Sequence, residues 1–249
     1  MDNWNPEQYN RFHSERSQPF WDLALKVDFT KVSTLLDIGC GTGELTSQLH
    51  SNRGLKTTVG IDSSASMLEK ASAWRAKGLT FTLGDANTYA PSQKYDVVLS
   101  NSALQWVDNH KQIILKLANW LEPKGQLAVQ MPCNFDHASH FLASDVAQEM
   151  KLKIRTPPLL APETYAELLW RNGMEAIDVT IKVYLHPMET GTEVVEWTKG
   201  TLLTYYQKQL DVEGFKKFVS EYTRRLLVVT GQGAYLYPFK RIFIVVRKK

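Results

Sequence analysis

Between residues 33 and 132 the chain alternates short β-branched apolar runs with amphipathic helical stretches, and this alternation constrains the fold more than any other feature. The runs are LLDIG, TTVGID, LTFTLGD, YDVVLSN and QLAVQM. Between them, ELTSQLH, SASMLEKASAWRAK and HKQIILKLANWL carry apolar residues at helical spacing. Such strand and helix alternation predicts βαβ units, hence an α/β fold with a doubly wound, mostly parallel sheet covered by helices on both faces. Pro123 with Gly125 is expected to close the last of these helices.

Outside this stretch the pattern is looser. Residues 5–26 read as a helix or two, with Asn5 and Pro6 as cap and first turn. After Pro132, CNFDHASHFLASDVAQEM and APETYAELLWRNGM read as helices and IDVTIKVYL as a strand. Two helical stretches near 191–209 and 212–229 follow, and RIFIVV closes the chain as a strand. The expected organisation is one domain over 1–249: an N-terminal helical lid at 1–32, a ligand-binding core at 33–132, and remaining strands with a helical cap at 133–249.

A chain of 249 residues is long enough to bury a large core without staples. No stretch approaches the ~18 apolar residues of a membrane span, and the polar start MDNWNPEQYNRF favours the cytoplasm over export. Cys40 and Cys133 make neither a disulfide framework nor a clustered metal site, and the His137/His140 pair is expected at the surface. Residues 1–132 are electrically neutral and 133–188 carry net −2, whereas 189–249 carry +5. That segment suits a small anionic partner and falls short of the basic stripe nucleic acid requires; no membrane or obligate protein partner is indicated.

In an open parallel sheet the first strand-to-helix turn is the usual ligand cradle, and here it carries Gly39, Gly41 and Gly43. A dinucleotide fingerprint beginning at Gly39 wants Gly or Ala at position 44, where Glu44 stands and would repel a pyrophosphate. No Gly-Lys-Ser/Thr follows at P-loop spacing either. A G-x-G-x-G turn preceded by Asp37 resembles instead the first motif of class I S-adenosylmethionine-dependent methyltransferases. That resemblance implies S-adenosyl-L-methionine as cofactor, with Asp37, Gly39, Cys40 and Gly41 around its amino-acid part.

The next strand ends fit the same ligand. Asp62 ends the second strand, where an acid can accept from both ribose hydroxyls, with Ser63 beside it. Met67, about one helical turn on, is placed to pack on the adenine, and Gly84-Asp85-Ala86 ends the third strand where a carboxylate can accept from the adenine amino group. The alternative for each acid is an N-cap on the following helix. The fourth strand ends in SNSALQW beside the transferable methyl, so Asn101 is a cofactor neighbour, and Gln105 and Trp106 either face the substrate or cap the core. The Asn/Asp-Pro-Pro-aromatic run of base amino-methylating enzymes is missing, and Cys133 lacks the second motif that a C5-methylating nucleophile would accompany.

The opening W-N-P-x-x-Y-x-x-F-x-x-E-R-x-x-P (Trp4 to Pro19), IDSSASML, NSALQWV, LAVQMP, Glu196 to Thr201 and the ending YPFKRIFIVVR resemble the trans-aconitate 2-methyltransferase family over nearly the whole chain. Where that family typically continues Leu-Arg-Pro after Gly-Thr, this chain has Leu202, Leu203, Thr204 and Tyr205. Arginine is the best bidentate partner of a carboxylate, so this departure leaves the choice of acid open. The resemblance implies a carboxyl O-methyltransferase of a small anionic carboxylic acid, trans-aconitate or a similar polycarboxylate. Tyr9, His13, Arg16 and Lys199 join Gln105 and Trp106 as candidate substrate contacts, with the carboxylate of S-adenosylmethionine as the alternative partner of Arg16.

A carboxylate with a pKa of about 4 is already ionised at neutral pH, so no acid/base dyad and no catalytic residue of that kind is expected. Alignment and exclusion of water carry the reaction instead. Competing readings are methylation of a carrier-bound malonyl group, a NAD-dependent oxidoreductase disfavoured by Glu44, and a protein that binds S-adenosylmethionine without turnover.

Overall fold

The computed structural model describes the backbone of residues 13–249 and the side chains from Ser17 onward. Two compact units share the chain. One comprises Ser17–Pro132, Pro158–Lys182 and Arg241–Lys249; Cys133–Pro157 and Val183–Lys240 belong to the other.

The first unit is built on the predicted βαβ series. Helix α1 (His13–Lys26) leads to β1 (Thr34–Ile38), α2 (Glu44–Arg53), β2 (Thr57–Asp62), α3 (Ala65–Ala71), β3 (Leu79–Leu83), β4 (Tyr95–Asn101), α4 (His110–Asn119) and β5 (Leu121–Pro132). β1 pairs in parallel with β2 and β4, β2 with β3, and β4 with β5. Leu35, Leu36, Val97, Val98, Leu127 and Val129 are fully buried, because helices cover both faces of these strands. Further along come α5 (Ala138–Glu149), α6 (Pro162–Arg171), β6 (Met174–Met188), α7 (Thr192–Lys199), α8 (Leu203–Gln207), α9 (Val212–Thr230) and β7 (Tyr235–Lys248). The seven-stranded sheet has the order β3-β2-β1-β4-β5-β7-β6, with β7 antiparallel to β5.

Three local expectations are corrected. Pro123 and Gly125 do not close a helix: α4 ends at Asn119, and both residues lie inside β5. There Lys124 has a positive φ of 66°, and a Cβ on Gly125 would meet three carbonyl oxygens at 2.9–3.1 Å. The helix expected through SASMLEKASAWRAK stops at Ala71 and finishes as a single 3₁₀ turn, Ser72–Trp74. The stretch 191–209 is two helices, because α7 stops at Gly200. Of the helix or two expected over residues 5–26, the part from His13 to Lys26 is helical and the earlier residues lie outside those described.

In the second unit, α9 buries Phe218, Tyr222 and Leu226 against Ala143, Val146 and Ala147 of α5 and Val194, Val195 and Trp197 of α7. Asp211 caps α9 by accepting from Gly214 N at 2.7 Å. His137 and His140 are not surface residues. His137 Nδ1 accepts from Ser139 N at 3.1 Å to cap α5, its Nε2 meets the Tyr235 hydroxyl at 3.0 Å, and burial pushes the His140 imidazole down to about 3. Among the described residues no helix is long and apolar enough to cross a membrane, and no group of three His, Cys, Asp or Glu is placed to hold a metal.

Candidate active site

Because β1 to β5 run parallel, their carboxyl ends share one edge of the sheet, where ligands of such folds sit. The glycine turn leaves β1 at that edge and is tied to its neighbour: Gly39 N and Cys40 N both donate to Ile61 O, at 2.8 and 3.0 Å. Gly39, Gly41 and Gly43 take φ values of 77°, 57° and 76°, which side chains resist. Their steric reasons differ. A Cβ on Gly39 would lie 2.2 Å from the Ala103 Cβ, and one on Gly43 within 2.9 Å of the Phe81 ring and Ala71. A Cβ on Gly41 would meet no atom of the described residues within 4 Å. Only that glycine borders open space, whereas the outer two are demanded by the protein's own packing.

Asp62 fixes this turn. Its Oδ2 accepts from Gly41 N at 2.9 Å and its Oδ1 from Ser64 N at 2.9 Å. Each carboxylate oxygen has a second lone pair for a further donor. Asp62 is not the cap of α3; that role falls to Ser64, whose Oγ accepts from Met67 N at 3.4 Å. Ser63 is exposed and Met67 half-buried. After β3, Asp85 is exposed and folds its own loop, accepting from Asn87 N at 2.7 Å, with Ala86 buried next to it. No helix starts there for Asp85 to cap. Lys116 on α4 holds this loop from below, donating to Ala86 O at 3.1 Å and Asn87 O at 2.6 Å.

Asp37 is 2 % exposed and accepts from the Thr46 hydroxyl at 2.6 Å, linking β1 to α2 across the glycine turn. Burial pushes its carboxyl up to about 7, the Thr46 bond opposes this, and the Asp62 charge adds to it. Burial, then Asp37 and Asp62, also raise the Cys40 thiol far above its ordinary value, so it stays protonated and unreactive.

At the end of β4, Asn101 holds a buried Oδ1 without a hydrogen-bond partner among the described residues. A buried amide oxygen in that state fits a ligand that donates. The following 3₁₀ turn, Leu104–Trp106, buries Gln105, whose Nε2 donates to Ser102 O at 2.7 Å, and leaves Trp106 half exposed. His110 pins the turn: one ring nitrogen meets Leu104 O at 3.0 Å, the other the Tyr165 hydroxyl, and burial lowers its pKa.

The structure thus gathers Asp37, Gly39, Cys40, Gly41, Asp62, Ser63, Met67, Asp85, Ala86, Asn101, Gln105 and Trp106 at consecutive strand ends of one unit. Lys199 belongs to the other unit and pairs with Glu196 at 2.6 Å. Tyr9 and the side chains of His13 and Arg16 lie outside the described residues. Part of the basic excess of 189–249 pairs with acids elsewhere in the chain, Arg225 with Glu149, Lys240 with Asp136 and Arg247 with Asp28. Such surface pairs contribute little to stability.

Sequence reading missed Lys116, His110 and a buried polar group formed by Ser102, Gln130 and Arg241. One local signal was available for the last: Gln130 interrupts the apolar run from Leu127 to Met131, which is buried throughout.

Comparison with known proteins agrees with this arrangement. A family model described as a methyltransferase domain matches residues 29–179. The trans-aconitate 2-methyltransferase of Deinococcus radiodurans is 38% identical over 255 residues, covering 97% of both chains. That of Agrobacterium fabrum is 36% identical, covering 99% of both. Among solved structures, the phosphoethanolamine N-methyltransferase 2 of Haemonchus contortus, in complex with phosphomonomethylethanolamine and S-adenosylhomocysteine, superposes with a TM-score of 0.60 at 20% identity. It covers 93% of this chain and 53% of its own, and shares the class I methyltransferase fold. Identity of this level over nearly the full length places the chain: it belongs to the trans-aconitate 2-methyltransferase family of class I methyltransferases.

Proposed function

We propose that this protein transfers the methyl group of S-adenosylmethionine to a carboxylate of trans-aconitate, forming a monomethyl ester. The observation that carries the reading is the near-complete mutual coverage with relatives bearing that name, which extends past the cofactor core into the later part of the chain.

The residues of the strand ends suit the cofactor. Space is open beside Gly41, the buried Asn101 Oδ1 awaits a donor such as an ammonium, and Asp62 retains lone pairs for ribose hydroxyls. When bound, S-adenosylmethionine supplies a sulfonium methyl that a carboxylate oxygen displaces in line, with no proton to remove. Asp37, Gly39, Cys40 and Gly41 hold its amino-acid end in this assignment, Asp62 and Ser63 the ribose, and Met67, Asp85 and Ala86 the adenine. Asp62 couples two of these tasks, since the carboxylate that takes the ribose also fixes the Gly41 amide. A substrate carboxylate is ionised at pH 7, so the protein's part is orientation and shielding from water. Gln105 and Trp106 follow the strand bearing Asn101 and are the proposed contacts of the acid.

The test is transfer of labelled methyl from S-adenosylmethionine to trans-aconitate, beside other di- and tricarboxylic acids and malonyl carrier protein. Labelling of trans-aconitate with the highest kcat/KM is expected. Preference for another acid, or for the carrier, refutes the assignment of substrate.

A further inference from the structure

We propose that the Gln130 amide holds the carboxylate that accepts the methyl, with Nε2 donating to the oxygen that is not methylated. This rests on the function proposed above and adds a substrate contact on β5.

Strand order places Gln130 on the substrate side. In the proposed assignment β3, β2 and β1 take the adenine, the ribose and the amino-acid end in turn, and β4 brings Asn101 to the ammonium. β5 is the next strand of the sheet. Gln130 is the register partner of Asn101, so its backbone lies one strand spacing, about 4.8 Å, farther along the edge. Asp37 pairs with Gly60 and with Leu99, which stand two residues before Asp62 and Asn101. With a side-chain period of two, Asp37, Asp62, Asn101 and Gln130 share one face of the sheet.

Hydrogen bonding decides which end of the amide is offered. An arginine only donates, so the Ser102 hydroxyl accepts from Arg241 Nη1 at 3.1 Å and gives its own proton to Gln130 Oε1 at 2.9 Å. Ser102 N also donates to Gln130 O at 2.9 Å, and Ser102 holds a φ of 54°, costly for serine, while making both contacts. Oε1 is therefore committed to Ser102. Gln130 is fully buried, yet its Nε2 has no hydrogen-bond partner among the described residues. Burying an amide donor unpaired is costly, and an apolar residue in this strand would carry no such cost. The contact with Ser102 uses only the oxygen, so the NH₂ end is left for an acceptor that a ligand brings.

Neighbouring strands thus present opposite needs: Asn101 Oδ1 lacks a donor and Gln130 Nε2 lacks an acceptor. A cationic cofactor group followed by an anionic acid satisfies both, in the order in which the strands present them. The chain from guanidinium to hydroxyl to amide polarises Nε2 and strengthens it as a donor. A neutral donor also suits this position. As one carboxylate oxygen bonds to the methyl carbon and the S–C electron pair stays with sulfur, the other oxygen becomes the ester carbonyl, which still accepts a hydrogen bond. The contact therefore orients the nucleophile through the whole step without a cation fixing its charge.

The experiment is calorimetric titration of trans-aconitate into the full-length protein saturated with S-adenosylhomocysteine, for wild type, Gln130→Met and Gln130→Glu. The first variant removes the donor; the second keeps an acceptor for Ser102 but turns another oxygen toward the acid. Affinity for the acid should fall about 10-fold in Gln130→Met and roughly 100-fold in Gln130→Glu, with affinity for S-adenosylhomocysteine changed less than about 3-fold in either. Methyl transfer at saturating acid should slow by roughly 5-fold or more in Gln130→Met. A bracing role predicts the opposite order, with Gln130→Glu the milder because Ser102 keeps its partner; that order, or undiminished acid binding, overturns the contact. An equal loss of S-adenosylhomocysteine affinity overturns it too, since the amide would then serve the cofactor's own carboxylate. If Gln130→Glu does not fold, Gln130→Met decides by the ratio of the two losses. Weaker acid binding with an unchanged transfer rate overturns the choice of carboxylate. A wild type that binds S-adenosylhomocysteine but not trans-aconitate overturns the proposed acid, and the contact with it.

Discussion

The buried carboxyl of Asp37 makes the stability of this fold depend on pH in a direction unusual for an acid. Its pKa is pushed from an ordinary 3.8 to about 7 in the folded chain, chiefly by burial. Below pH 3.8 both folded and unfolded states hold the proton, and above 7 neither does. Between those values the folded state binds the extra proton, so stability falls as pH rises, by up to about 1.4 kcal/mol per unit. Over pH 5 to 8 the loss from this one group is on the order of 3 kcal/mol, equivalent to roughly 6–12 °C in Tm for a chain of this size. Asp37→Asn retains an oxygen for Thr46 but cannot ionise. Denaturant unfolding of both proteins from pH 5 to 8 should show the variant gaining on the wild type as pH rises, with the gap constant above about pH 8. Parallel curves would mean that the carboxyl titrates normally and that its burial has been relieved. Under the proposed cofactor assignment the ligand's ammonium favours the ionised carboxyl. Binding of S-adenosylhomocysteine should then tighten through pH 7 more steeply in the wild type than in Asp37→Asn.

Asp62→Ala removes the acceptor of two backbone N–H groups as well as the proposed ribose contact, and should weaken S-adenosylhomocysteine binding by about 1–3 kcal/mol in calorimetry; unchanged affinity would remove Asp62 from the site. The glycines should separate: Gly39→Ala drives a methyl into Ala103 and should cost well over 2 kcal/mol of stability, whereas Gly41→Ala meets no atom and should cost about 1 kcal/mol for its backbone alone, both read by chemical denaturation. Lys116→Met leaves the Ala86 and Asn87 carbonyls without their donor and should raise the Kd for S-adenosylhomocysteine several-fold with little change in Tm; an unaltered Kd would show that the loop keeps its shape unaided.

The strand ends that carry the proposed cofactor contacts were legible because they are local. Asp37, Asp62, Asp85 and Asn101 each end or follow a strand whose apolar run is visible in the chain, and parallel strands deliver all such ends to one edge. Even the N-cap alternatives were decided nearby, by Ser64 taking the cap of α3 and by the lack of a helix after Asp85. What stayed hidden depends on partners distant in sequence. Gly43 reads as a ligand glycine until Phe81 is seen against it, and His110 as a polar residue at a helix start until Tyr165 closes on it. Gln130 and Arg241 are 111 residues apart, and only the antiparallel register of β5 and β7 brings them to one edge. Periodicity within a strand cannot reveal register between strands. The Pro123–Gly125 error has a related cause, since both a helix stop and an irregular strand start use such residues.

A carboxylate nucleophile also explains what kind of residue the strand ends need. A general base would serve no purpose for a group ionised at pH 7, and the carboxyl shifted to about 7, Asp37, is engaged with Thr46 in the core. Attraction between the acid and the cationic sulfonium is strongest before reaction and fades as both charges vanish, so added positive charge at the reacting oxygen would only hold the ground state. Positive charge is useful where the acid's charge persists through the reaction, at a carboxylate that is not methylated. Such a contact binds substrate and transition state alike, orients the reacting oxygen and leaves its nucleophilicity intact.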